Sequence, residues 1–329
     1  MIENYLNKRF STRNLSDADF HNILPTLAQE LTQVNFLPNY SEEELQKDWK
    51  NLKIWSTTET FINSTNRIGM KLCEHFMPNF YDIEDNRGNS FKKYWQDNKL
   101  LEKILVGNRK SHSTPYLSEL KRGIYFATGM PKSTMYRPQM SKMITQGAEY
   151  VLDPCAGWGG RMLGAVANGA HYIAFEPNPI TFNNLNKIID FLGIKDNVTL
   201  YCDDARNIDN YGIPNVDIVL TSPPYFDLEI YYKDTNQSVH LLTTYEEWDA
   251  NFLTPIITKC IMKLKVDGKS CWNVANFGKI DMWASVDNAH TINGFNQSII
   301  YENRSSKRPT DKNKTSDKKS DITISYTRS

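Results

Sequence analysis

The run Ser222-Pro223-Pro224-Tyr225 sits one residue, Thr221, behind the apolar stretch Ile218-Val219-Leu220. Proline lacks an amide hydrogen and fixes φ, so two in a row cannot extend a central strand. The chain must therefore leave a sheet here stiff and extended, with a hydroxyl and a phenol at the strand's tip. Those groups suit one kind of chemistry. An amino group conjugated to a planar ring is a poor nucleophile, because its lone pair is delocalised. Two acceptors aimed at its hydrogens, the Ser222 hydroxyl oxygen and the Pro223 carbonyl, would draw the nitrogen toward tetrahedral geometry and localise that pair. Pro223 and Pro224 would hold the acceptors fixed, and Tyr225 would offer a π-face to the planar partner. Such a site works by positioning and electrostatics and needs no metal or covalent nucleophile.

A second run, Asp153-Pro154-Cys155-Ala156-Gly157-Trp158-Gly159-Gly160, follows the apolar EYVL. Glycines between a strand and a helix let a ligand approach the backbone, and the first helix amides are unpaired donors. Such turns also arise for packing alone, so the run by itself is a weak signal. Its surroundings add weight. Glu176 ends the next strand about 20 residues on, where an acid can accept from both hydroxyls of a ribose. Asp203 and Asp204 close the third strand, where a carboxylate can accept from an adenine amino group. An acid leading the turn would repel a pyrophosphate but attract an ammonium or sulfonium. That favours S-adenosylmethionine over a nicotinamide dinucleotide as cofactor, and the missing P-loop lysine argues against nucleoside triphosphates.

DPCAGWGG, the acidic strand end at Glu176 and TSPPY, in that order, resemble the amino-methyltransferases that act on exocyclic nitrogens of DNA bases. In that family an Asp, Asn or Ser followed by Pro-Pro and an aromatic comes after the fourth strand. The resemblance covers residues 130–278 and implies a class I, Rossmann-like methyltransferase fold using S-adenosylmethionine. It further implies double-stranded DNA with a flipped base as partner, at a cost of a few kcal/mol for unstacking. The setting it implies is bacterial or phage restriction–modification, with a restriction endonuclease as a candidate partner. KSTMYRPQMSKMI resembles the segment that these enzymes close over the methionine end of the cofactor. That carries Tyr136, Arg137 and Pro138 over as cofactor contacts; a plain helix start at Pro138 is the alternative. Two positions depart from the pattern. Cys155 stands where many relatives carry Phe, and Ser222 takes the place of Asp or Asn. Within the family Ser is associated with N4 of cytosine and Asp with N6 of adenine, so cytosine N4 is the favoured target. The same four-residue logic also serves RNA bases and protein glutamine, and a protein that binds the cofactor without turnover would keep the glycine turn.

These groups must be positioned by the elements around them. From Tyr150 apolar strands alternate with helical segments: EYVLDP, GGRMLGAVANG, HYIAFEP, ITFNNLNKIIDFLGI, VTLYCDD and VDIVLTSPP. That rhythm means βαβ units and a mostly parallel, doubly wound sheet with helices on both faces. TYEEWDANFLTPIITKCIMKL reads as one long helix kinked at Pro255. A turn at Val266-Asp267-Gly268 and a strand, KSCWNVANF, follow. Residues 302–321 carry more Lys and Arg than Asp and Glu and few apolar residues, which reads as a basic mobile loop ahead of a last strand, ITISYT. Residues 130–329 are thus the expected catalytic domain. Residues 1–129 read as a mainly helical accessory or DNA-recognition part. Within it DADFHNILPTLAQELTQ is interrupted by Pro25, Ser41 and Glu44 form a capping box, and residues 85–89 make a turn. No recognition domain fits between the glycine turn and TSPPY. Specificity would then come from the amino-terminal part, the basic loop, or the segment after TSPPY, where Gln237 and Ser238 would read the base edge.

The totals set outer bounds. The 329 residues carry a formal net charge of zero, which neither favours nor excludes a nucleic acid, since distribution matters more than sum. Five scattered cysteines form no C-x-x-C pair, and the six histidines show no metal-ligand spacing. Without a long apolar run or signal-peptide pattern, the expectation is a soluble protein of a reducing cytosol.

Overall fold

A computed structural model describes residues 5–6, 15–85, 87–130, 133–231, 238, 242–304 and 321–328. They divide into two units, and not at one cut near residue 130. One unit comprises Met1–Pro38, Pro78–Thr134 and Asp227–Tyr231; the other comprises Asn39–Met77, Met135–Phe226 and Tyr232–Ser329. The basic loop, apart from its ends, and Gln237 lie outside the described residues.

The first unit is helical, as its spacing of apolar residues requires. Helices Asp17–Thr32, Asn98–Lys110 and Leu117–Thr128 bury Phe20, Leu27, Leu31, Leu101, Leu105 and Ile124 in one core with Phe91 and Trp95. Ser16 and Asp97 cap two of them by accepting from the amides of Asp19 and Leu100. Pro25 does not interrupt its helix. It lies on the exposed face, as does His21, so the carbonyl that loses its partner is left on the solvent side.

The second unit is built on one eight-stranded sheet. Its strands are β1 (Phe61–Asn63), β2 (Tyr150–Asp153), β3 (His171–Phe175), β4 (Val198–Tyr201), β5 (Val216–Thr221), β6 (Leu264–Asn273), β7 (Phe295–Arg304) and β8 (Asp321–Arg328). They lie in the order β1-β7-β8-β6-β5-β2-β3-β4. All neighbours pair parallel except β6 with β8 and β7 with β8. The inner strands read as near-continuous apolar runs because both faces are covered, the mark of a parallel sheet. From β2 the chain winds outward through β3 and β4, then returns to β5 and winds the other way. The carboxyl ends of β2 and β5 therefore flank the point where strand order reverses.

Three details differ from expectation. Phe61–Asn63 adds a short strand to the sheet edge, in a region read as mainly helical; three residues give no alternation to read. The turn at Val266-Asp267-Gly268 is an irregularity inside β6, where the step from Val216 to Ile218 faces the longer step from Leu264 to Lys269. A side chain at Gly268 would meet the Asp217 carbonyl at 3.1 Å. The long helix before β6 carries a wide π-turn, Asp249–Leu253, ahead of the helix Thr254–Met262. Pro255 cannot donate to the preceding turn, and the wider turn absorbs that loss.

Candidate active site

Asp153 closes β2 and Thr221 closes β5, and in open α/β sheets ligands bind outside strand ends of this kind. The Thr221 hydroxyl donates to Asp153 Oδ1 at 2.7 Å. The glycine turn and the diproline run thus start from directly bonded residues.

Asp153 is 0% exposed. Its Oδ2 accepts from Arg161 Nε and the Tyr172 hydroxyl, each at 2.6 Å, and its Oδ1 from Thr221 and the Cys155 amide. A carboxylate has about four acceptor sites, and all are occupied by this chain. The expectation that Asp153 faces a cationic ligand is corrected: it is the buried counter-charge of Arg161. Arg161, in the first turn of the helix Gly160–Ala167, also donates to the carbonyls of Cys155 and Ala156. Burial opposes its charge, but the Asp153 carboxylate outweighs this and keeps it protonated. The ion pair thereby holds the turn from beneath. Pro154 and Ala156 are buried with it, the Ala156 amide donating to the Phe175 carbonyl at 2.8 Å, and Cys155 is half-buried.

The glycines of the turn serve different ends. Gly157 has φ +57°, and an added Cβ would meet Arg161 Nη2 at 3.6 Å and the Cys155 carbonyl at 3.7 Å, ordinary contacts, so its backbone conformation and not crowding calls for glycine. Gly159, at φ +83°, starts the helix. Gly160 and Gly164 serve packing. Side chains there would lie 2.0 Å and 2.3 Å from the carbonyls of Tyr136 and Pro138. The segment before the turn is thus pressed against this helix. Tyr136 lies against the Arg161 guanidinium, and its hydroxyl hydrogen-bonds Thr323 of β8 at 2.9 Å. Pro138 is the first residue of the buried helix Pro138–Ile144, so the plain helix start describes it. Arg137 turns to the carbonyls of Ser64 and Asn66. Tyr136 and Arg137 thus anchor the segment to β8 and to the residues after β1.

Glu176 follows β3, and its carboxylate accepts from the amides of Gly157 and Asn178, each at 3.0 Å. Burial pushes its pKa up to about 7, against the pull of those two amides. Beyond β4, Asp203 accepts from Asn207, Tyr211 and the Asp204 amide. Burial raises its pKa, but these hydrogen bonds together outweigh it and hold the carboxyl low. Asp204 accepts from the amide and guanidinium of Arg206. Of about four acceptor sites, Glu176 keeps roughly two and Asp203 and Asp204 roughly one each. Glu176, Asp203 and Asp204 thus line the strand ends beside the turn.

At the end of β5, Ser222 is half-buried and its hydroxyl donates to Asn273 Oδ1 at 3.3 Å. Pro223 is buried, Pro224 and Tyr225 half-buried. The Tyr225 ring stands edge-on to Phe277, with centroids 6.0 Å apart. Phe226 then adopts φ +38°, a left-handed conformation that costs about 1–3 kcal/mol for a bulky residue. Its ring is buried beside Tyr245 and Trp248, which offsets that cost by about the 1.5–3 kcal/mol of a buried side chain. The bend sets where Tyr225 stands. Ser238, in contrast, is 4% exposed, and its hydroxyl accepts from the Trp248 indole at 2.9 Å. It faces the core rather than reading a base edge.

Sequence reasoning missed Arg161, Thr221 and Asn273. Thr221 was in view inside TSPPY; Arg161 carried the signal of a cation placed in an apolar helix behind an acid. Asn273 had none, because it is joined to Ser222 only by the pairing of β5 with β6.

The sheet carries the expected parallel order with an antiparallel β8 inserted between β6 and β7. This is a Rossmann-like, mostly parallel α/β fold. No protein-family model matches the chain, and no curated protein matches it. Solved structures do. An S-adenosylmethionine-dependent O-methyltransferase from Thermotoga maritima is 15% identical with a TM-score of 0.41, over 61% of this chain and 68% of that one. An rRNA methylase from Streptococcus thermophilus is 15% identical at 0.39, over 60% and 99%. A magnesium protoporphyrin IX methyltransferase from Synechocystis PCC 6803, with bound S-adenosylmethionine, is 13% identical at 0.37, over 56% and 72%. Likeness at this level says nothing of what this chain binds or transfers. Among the described residues no helix is long and apolar enough to cross a membrane.

Proposed function

We propose that the chain is an S-adenosylmethionine-dependent methyltransferase acting on the exocyclic amino group of a flipped DNA base, N4 of cytosine in preference to N6 of adenine. One observation carries this reading: the Asp153–Thr221 hydrogen bond joins the glycine turn to the Ser222-Pro223-Pro224-Tyr225 run across the switch point. The cofactor lies over Gly157, its ribose hydroxyls accepted by Glu176 and its adenine amino group by the acids behind β4. The target amine donates to the Ser222 oxygen and the Pro223 carbonyl while its ring stacks on Tyr225. Bound S-adenosylmethionine would supply the sulfonium methyl for in-line attack by the localised lone pair, with S-adenosylhomocysteine as leaving group and the surplus proton of the methylated nitrogen passing to water. The helical unit is the accessory or DNA-recognition part.

The test is labelled-methyl transfer to unmodified DNA, RNA and protein, followed by nucleoside analysis. N4-methylcytosine in DNA is the expected product. Label in RNA or in protein glutamine alone moves the substrate class, and cofactor binding with no transfer to any fraction reduces the chain to a silent binder.

Glu176 supplies a second check. Only its ionised form can accept from both ribose hydroxyls, and its pKa in the free protein stands at about 7. Cofactor affinity is therefore expected to rise between pH 6 and pH 8 and level off. At pH 6 roughly a tenth of the protein is competent, which weakens the apparent Kd about tenfold. Calorimetric titration across this range reads the slope. Glu176→Gln should bind more weakly and with no slope; an unchanged slope places the titrating group elsewhere.

A further inference from the structure

A serine hydroxyl has one hydrogen to give and two lone pairs that accept, so its role toward a substrate depends on where that hydrogen is committed. Neighbours of Ser222 commit it. Asn273, the last residue of β6, is 5% exposed. Its Nδ2 donates to Asp321 Oδ1 at 2.8 Å and to the Ile322 carbonyl at 2.6 Å. Both partners are acceptors only, so they fix which end of the amide is nitrogen. The oxygen is left facing Ser222, 3.3 Å from its Oγ. A side-chain oxygen with no hydrogen can only accept, so the Ser222 hydrogen points at Asn273. That distance is long for an O–H···O bond. It suffices to orient a proton while leaving the serine oxygen free to accept.

We propose that Asn273, held by Asp321 and the Ile322 carbonyl, is a positioning residue that makes Ser222 an acceptor-only group. The proposal rests on the methyltransferase reading and narrows it to substrates whose reacting atom carries hydrogen, an amino group rather than a keto oxygen or a bare ring nitrogen. Without Asn273 the hydroxyl can rotate and present its hydrogen to the amine, which repels the N–H groups it should accept. The pairing that builds the relay is local and rigid: Thr221 sits opposite Trp272, and Asn273 opposite Thr323.

The experiment compares wild type, Asn273→Ala, Ser222→Ala and the combination, with kcat expressed per folded molecule. Asn273→Ala should lower kcat about ten- to a hundredfold, the scale of a misplaced group in a tuned site, with cofactor affinity kept. In the Ser222→Ala background the same change should cost nothing more, because it acts through that hydroxyl. Unchanged kcat in Asn273→Ala, or losses that multiply in the combination, overturn the proposal. A readout independent of turnover separates it from the function itself. The Asn273 side-chain amide resonances should shift in Ser222→Ala. If they shift while wild type methylates nothing, the hydrogen-bond polarity stands and the function fails; if they do not move, the proposal fails.

Discussion

Ser222→Ala is expected to lower the methyl-transfer rate constant by about 10²–10³-fold, equivalent to about 3–4 kcal/mol, the cost of removing one preorganised electrostatic partner from a transition state. The lost group is an acceptor whose contact strengthens as the nitrogen pyramidalises and its hydrogens gain positive charge. Its removal should therefore fall on kcat more than on substrate binding. Cofactor affinity should be nearly unchanged, since the groups proposed to hold the ribose and adenine come from β3 and β4, beyond β2 from Ser222. Single-turnover transfer and calorimetric cofactor binding, measured on the same preparations, separate the two. A variant that keeps wild-type turnover removes Ser222 from the chemistry. One that loses cofactor binding and turnover in proportion makes it a structural residue of the β5 edge.

Much of this arrangement could be read from the chain because its parts are contiguous. Buried parallel strands are short apolar runs, so the core strands from Tyr150 onward announce themselves. The glycine turn and TSPPY each occupy a few adjacent residues. What escaped notice depends on pairing across the sheet. Asp153 leads the glycine turn, which suggests that it faces outward. Its actual partners come from a helix, from β3 and from β5, and no sequence spacing brings Arg161, Tyr172 and Thr221 to one carboxylate. Asn273 and Asp321 meet for the same reason. The π-turn before Pro255 was half legible: the proline marks the place, but the wider turn itself leaves no mark in the spacing. Gly160 and Gly164 were legible as glycines but not as contacts, because only the folded chain shows which backbone lies against them.

The inward orientation of Asp153 changes what its loss should do. Asp153→Ala removes one member of an ion pair whose partner, Arg161, is only 4% exposed. A stranded buried charge costs about 3–5 kcal/mol. Against a total stability of about 5–15 kcal/mol that is a large fraction. The urea midpoint should fall steeply, and cofactor binding should weaken only because the turn that Arg161 staples at Cys155 and Ala156 comes loose. If Asp153 instead met the cofactor, the midpoint would barely move and the affinity would drop. A second variant separates these outcomes even where the first fails to fold. Asp153→Leu/Arg161→Met removes both charges and fills their volume, an exchange that often costs little in stability. Its midpoint should stand well above that of Asp153→Ala. It should also still bind S-adenosylmethionine, more weakly because Arg161 no longer holds the Cys155 and Ala156 carbonyls, since Gly157 and Glu176, the groups proposed to face the cofactor, keep their contact with each other. A stable double variant that no longer binds would return Asp153 to the ligand.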